Sequence, residues 1–101
     1  MKPETNAAVR RSWAIFEMLS GRCLDGMSNK ELAEAIGTSA VNITRDLQTL
    51  ESIGMAKKME NGRWSLTSRA LVPVQRFSNH YQTMQTRMEE TRRAIQAGAM
   101  Q

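Results

Sequence analysis

A chain of 101 residues, 41% hydrophobic and 5% aromatic, can build one small domain, or a domain with an extension, but not a deep substrate cavity. Its formal net charge of +4 at pH 7 suits a polyanionic partner. A single cysteine excludes an intramolecular disulfide, and no run of ~18 apolar residues is present to span a bilayer.

The opening Met1-Lys2-Pro3-Glu4-Thr5-Asn6 lacks the apolar core of a signal peptide, so a cytoplasmic protein is expected. A first helix is predicted from about Thr5 to Ser20, capped by Thr5 or Asn6 and followed by Gly21. Val9, Trp13, Ile15, Phe16 and Leu19 give it a broad apolar arc. The arc is wider than one neighbour needs, which leaves an edge for the C-terminal helix or a second subunit. Cys23 is expected as a small, partly buried side chain.

Ser28 followed by Glu31 is a capping box and marks the start of a second helix. Leu32, Ala33 and Ile36 supply its buried face, and Gly37 ends it. A third helix begins after Thr38 or Ser39 and ends near Ile53-Gly54, with Ile43, Leu47 and Leu50 toward the core. At ~100° per residue, Val41, Thr44, Arg45 and Gln48 fall on the opposite side. Two segments then pair as a hairpin, Met55–Met59 and Arg63–Leu66, around Glu60-Asn61-Gly62. Asn-Gly is a strong hairpin signal because both residues tolerate positive φ. Trp64 and Leu66 should face the core.

Thr67-Ser68 can cap a further helix, but Pro73 argues for a break or restart. From Pro73 onward, Val74, Phe77, Tyr81, Met84, Met88, Thr91 and Ile95 repeat at heptad spacing. A lone helix with so narrow a stripe is marginal in water. It can pair with itself, take a partner helix from another protein, or fold back along the first helix. Self-pairing is the expectation.

Two short helices joined by a turn and followed by a ribbon make a winged helix-turn-helix, which aims the third helix into the DNA major groove. Ser39, Ala40, Val41, Asn42, Thr44, Arg45 and Gln48 are the candidate recognition residues. Arg45 can reach guanine or phosphate, Asn42 and Gln48 can pair with adenine, and Val41 or Thr44 can touch a thymine methyl. Lys57, Lys58, Asn61 and Arg63 are the candidate wing contacts, with edge-strand protection as the competing use of the lysines. Trp13, Val74, Phe77, Tyr81, Met84, Met88 and Ile95 are the candidate dimer interface.

Charge is uneven. In residues 28–54, Lys30 and Arg45 face Glu31, Glu34, Asp46 and Glu51, a net acidic balance; the wing is net basic, and residues 67–101 hold five arginines against two glutamates. Met18, Met55, Met84 and Met88 sit at apolar positions and are expected to pack as core rather than bind metal. His80 is the only histidine, so neither a metal site nor a nucleophile–base pair can be assembled around it. No cofactor and no enzymatic activity are expected.

Residues 11–72 resemble the N-terminal winged-helix domain of IclR-type transcriptional regulators. The resemblance rests on Ile15-Phe16-Glu17-Met18-Leu19, on Ser28–Ala33, on Arg45-Asp46-Leu47-Gln48-Thr49-Leu50, and on Gly54 with Trp64-Ser65-Leu66. It implies that Ser39 to Gln48 form the recognition segment and that Arg45 contacts DNA. IclR-type regulators continue into an effector-binding domain for which this chain is too short, so no small-molecule effector is expected.

The expectation is therefore a mainly α fold with a small β-hairpin. It comprises a winged helix-turn-helix domain over 1–70 and a C-terminal dimerisation helix over 71–101. The expected function is a dimeric double-stranded DNA-binding transcriptional regulator, a repressor acting by operator occlusion. The alternative is a winged-helix protein-interaction module, an antirepressor or assembly adaptor, favoured by the acidic balance of residues 28–54.

Overall fold

The computed structural model describes residues 5–99. The outermost residues of the two expected segments, 1–4 and 100–101, and with them most of the expected leaderless start, lie outside the described residues. The elements in order are α1 (Ala7–Ser20), α2 (Asn29–Ile36), α3 (Ala40–Ser52), β1 (Ala56–Lys58), β2 (Trp64–Leu66) and α4 (Ser68–Ala99). Two compact units result, Met1–Ala70 and Leu71–Gln101, with α4 starting in the first and filling the second. No described helix is long and apolar enough to cross a membrane.

Local chemistry sets each boundary. Asn6, not Thr5, caps α1: its side-chain oxygen accepts the N–H groups of Ala8 and Val9 at 2.9 and 3.1 Å. The Ser28–Glu31 capping box forms in both directions, each bond 3.1 Å, and Gly37 closes α2 in the left-handed conformation. Ser39 caps α3 by accepting the Asn42 N–H at 3.1 Å. Thr67 caps α4 by accepting the Ala70 N–H at 3.2 Å.

The hairpin pairs Ala56 with Leu66, Lys57 with Ser65 and Lys58 with Trp64. Its turn differs from the expectation. Asn61 does not take positive φ; within the turn Gly62 alone does, at 82°. Gly62 N–H bonds the Met59 carbonyl at 2.9 Å, and Met59 N–H bonds the Arg63 carbonyl at 2.7 Å. The loop is thus three residues long, Glu60 to Gly62, with glycine at the single left-handed position. On its other edge β2 meets Met27, with Met27–Trp64 backbone bonds of 2.9 and 2.7 Å. Flanked on both sides, β2 is buried throughout, Ser65 included, whose hydroxyl donates to the Cys23 carbonyl at 3.3 Å.

The core of the first unit joins Ile15 and Leu19 of α1, Met27, Leu32 and Ala33, Ile43 and Leu47 of α3, and Ala56, Trp64, Leu66 and Ala70. Each large side chain buried there contributes roughly 1.5–3 kcal/mol. Phe16, Ile36, Leu50 and Met55 pack around it.

Val9 and Trp13 are exposed within the first unit, on the edge of the α1 arc that its own core does not use. Several expectations are corrected. Of the four methionines expected in the core only Met55 packs there; Met18, Met84 and Met88 are exposed, and Met27 takes the buried place. Cys23 is exposed, its thiol directed at the Leu19 and Ser20 carbonyls. Pro73 neither breaks nor restarts α4. As the sixth residue of α4 it lacks an N–H that would otherwise bond the Arg69 carbonyl, and the helix continues through it without that bond.

Candidate nucleic-acid interface

α3 separates its two faces cleanly. Ile43 and Leu47 are fully buried, while Ser39, Ala40, Val41, Arg45 and Gln48 are exposed, Val41 at 62%. Arg45 and Gln48 make no side-chain hydrogen bond or ion pair among the described residues, so both present free donors. The other candidates on this helix are partly committed. Ser39 Oγ serves as the cap, and Asn42 Nδ2 donates to Thr38 Oγ1 at 3.0 Å. Thr44 Oγ1 donates to the Ala40 carbonyl at 2.8 Å and accepts from Asn29 Nδ2 at 2.9 Å. Its hydroxyl is occupied, which leaves its methyl as the group open to contact.

Asn29 was not foreseen from sequence. Besides holding Thr44, its Oδ1 accepts the Trp64 indole N–H at 2.9 Å. One side chain therefore ties α2 to both α3 and β2. The wing's inner strand and the exposed face of α3 are positioned by the same amide.

Arg63 is the main departure at the wing. Its Nε donates to the Asp25 carbonyl and its Nη2 to the Gly26 carbonyl, each at 3.0 Å. Its Nη1 lies 2.6 Å from Glu31 Oε1. The guanidinium is thus spent on holding β2 against the start of α2 and is not a free wing cation. Glu31 responds: the hydrogen bond from the Ser28 backbone N–H first, and Arg63 second, hold its carboxyl down at about 2. Asn61 also has a structural task, its Oδ1 accepting the Arg63 N–H at 2.9 Å. Lys57 and Lys58 are exposed and, among the described residues, unpaired. They are the two wing cations free for an anion.

A second ion pair lies beneath the exposed face of α3. Arg11 of α1 grips Asp46 of α3 in a fork, Nε to Oδ2 at 2.7 Å and Nη2 to Oδ1 at 3.3 Å. Asp46 is only 6% exposed. Two of the four acidic groups that make residues 28–54 net acidic, Glu31 and Asp46, are therefore neutralised by arginines from outside that segment. Helical geometry held a signal for Asp46: it lies ~60° from Ile43, on the edge of the core arc. For Asn29 and Arg63 no local pattern exists, since Asn29 reaches Thr44 and Trp64 across 15 and 35 residues and Arg63 reaches Asp25 and Gly26 across 38 and 37.

The candidate dimer residues are exposed within their own units. In the first, Trp13 is 63% exposed and stacks on Phe16 with ring centroids 5.4 Å apart. In the second, Val74, Phe77, Tyr81, Met84, Met88 and Ile95 are all exposed along α4.

No protein-family model matches the chain, and no curated protein does. Among solved structures, a point mutant of Lactococcus lactis ZitR matches with a TM-score of 0.50 at 19% identity. The alignment covers 89% of this chain and 64% of that one, so the chain spans less than two thirds of its structural neighbour. At that identity the likeness is one of fold: a winged helix with a two-stranded hairpin and a long C-terminal helix.

Proposed function

We propose that the protein is a double-stranded DNA-binding transcriptional regulator that works as a homodimer, in the cytoplasm, and represses by occluding its operator. The observation that carries this reading is the division of α3. Its inner face is locked by Ile43, Leu47 and the Arg11–Asp46 fork, while Val41, Arg45 and Gln48 stand unpaired on the outer face, with Lys57 and Lys58 exposed on the wing. In a winged helix, that outer face enters the major groove and the wing meets the flanking backbone. Arg45 supplies a bidentate donor for guanine, Gln48 a donor–acceptor pair for adenine, and Val41 an apolar contact for a thymine methyl. The IclR-type motif residues support the same assignment of Ser39 to Gln48. No catalytic step and no cofactor are part of the proposal.

The protein-interaction alternative rested on the acidic balance of residues 28–54. With Asp46 and Glu31 bound to arginines, that support is weakened. Fluorescence anisotropy with labelled random duplex DNA tests the proposal. Affinity should fall steeply as salt rises, and Lys58→Ala should weaken all sequences equally and lower the magnitude of the salt slope by about 1. A flat salt response, or no duplex binding at low salt, favours the protein-interaction module.

A further inference from the structure

The apolar stripe of α4 is ordered by type. Reading Val74, Tyr81, Met88 and Ile95 as a positions and Phe77, Met84 and Thr91 as d positions, the first half is aromatic and the second half thioether. Phe77 and Tyr81 lie with ring centroids 6.3 Å apart and planes 23° from parallel, a continuous aromatic plate followed by a methionine pair. The flanking e positions are Ser78, Gln85 and Arg92, and the g positions His80, Arg87 and Ala94. No acidic residue borders the stripe.

We propose that a second copy of this chain covers the stripe, with the two α4 helices antiparallel and Tyr81 set against Met84 of the partner subunit. The proposal rests on the dimeric reading above and adds orientation and register to it. In this register the a positions Val74, Tyr81 and Met88 each face a d position, and Ile95 falls past the paired stretch, opposite position 70, where Ala70 is buried in the core of its own first unit. Phe77 then meets Met88 of the partner subunit, and Val74 meets Thr91 of the partner subunit. Each aromatic side chain is matched by a flexible thioether, a favourable sulfur–aromatic contact, and the layers have similar bulk.

Parallel pairing does worse on two counts. It stacks phenylalanine on phenylalanine and tyrosine on tyrosine, then methionine on methionine, and it buries threonine against threonine. It also brings each g position beside the e position of the next heptad, so Arg87 meets Arg92 of the partner subunit twice by symmetry. Glu89 is poorly placed to relieve that contact, because Arg92 and Arg93 of its own helix already hold it, at 2.7 and 3.2 Å. In the antiparallel pair, g faces g, and Arg87 meets the imidazole of His80 of the partner subunit instead.

The test uses the full chain with Cys23→Ser and Ala97→Cys, spin-labelled at the exposed position 97, in a pulsed dipolar distance measurement. Antiparallel pairing separates the two labels by about 29 residues along the axis, ~43 Å at ~1.5 Å per residue. Parallel pairing places them across one helix–helix spacing, ~10–20 Å with the label arms. A dominant distance near 40 Å supports the proposal. A dimer with a short distance overturns the antiparallel arrangement and leaves the dimeric reading standing. Sedimentation of the same sample as a monomer at tens of micromolar overturns both.

Discussion

Asn29→Ala should destabilise the protein by about 2–3 kcal/mol although it removes only a small polar side chain. Two hydrogen bonds are lost, to the Trp64 indole N–H and to Thr44 Oγ1, both 2.9 Å. Each is worth ~0.5–1.5 kcal/mol, and the indole N–H of a side chain only 5% exposed is left without a partner, roughly 1–3 kcal/mol more. These costs overlap, so their full sum is an upper bound. Helix propensity runs the other way, because Asn29 is the first residue of α2 and alanine is the better helix former. For a domain of this size the loss corresponds to a fall of ~10–20 °C in Tm. Urea unfolding followed by far-ultraviolet circular dichroism is the suitable assay, since tryptophan fluorescence also reports the exposed Trp13. A double-mutant cycle isolates the cause. In a Trp64→Phe background there is no indole N–H to strand, so Asn29→Ala should cost at least ~1 kcal/mol less. A coupling energy below ~0.5 kcal/mol would refute the bridging role.

Three further outcomes are expected. Arg45→Ala should weaken specific DNA binding by roughly 1–3 kcal/mol and relax preference at one base step, whereas Arg63→Ala should lower affinity with no change in salt slope, because its guanidinium is already occupied; anisotropy titrations at several salt concentrations separate the two. Glu31 has a folded-state pKa of about 2 against an ordinary 4.5, so its contribution to stability is present above the ordinary value and is lost as pH falls toward the folded one. Glu31→Gln, which keeps a capping-box side chain, should therefore lose less Tm than the parent between about pH 6 and pH 3. Gly26→Ala should unfold or strongly destabilise the first unit, since φ is 71° and a Cβ would lie 2.6 Å from the Trp64 carbonyl oxygen; a thermal melt within ~1 kcal/mol of the parent would contradict that packing.

The winged helix-turn-helix was legible because its signals are local. The Ser28–Glu31 box, the Gly37 turn, the Ile43–Leu47 spacing and the Gly62 hairpin each act within a few residues, and each lies where its chemistry requires. Local signals do not reach where burial depends on distant neighbours. Met18 sits at an apolar helical position and looks like a core residue, whereas Met27 carries no periodic signal. Only Met27 bridges β2 and is enclosed, and nothing in its immediate sequence says so. Arg63 looked like a wing cation because it borders an exposed turn. Its partners, Asp25, Gly26 and Glu31, are more than thirty residues away in sequence and become neighbours only when Met27 pairs with Trp64. Pro73 is a different case: it stands inside α4, where a break is the usual consequence, yet the helix continues through it with one backbone bond fewer.

The same long-range pairings change how the charge of this small protein should be understood. Summed along the chain, residues 28–54 are net acidic, which argues against a DNA-facing helix. In three dimensions Arg11 answers Asp46 and Arg63 answers Glu31, so two of the four acidic groups are withdrawn from the field that a ligand meets. Those arginines also do mechanical work. The Arg11 fork joins α1 to the buried side of α3, and Arg63 fastens β2 to the first turn of α2. Among the described residues, what remains unpaired on the α3 and wing surface is a short set of donors, Arg45 and Gln48 on the helix and Lys57 and Lys58 on the strand, with Glu51 and Glu60 as the exposed acids beside them. Charge that a linear sum assigns to repulsion is thus converted into the rigidity that keeps helix and wing in a fixed relation, and a surface with few free cations can be selective only if that relation is fixed.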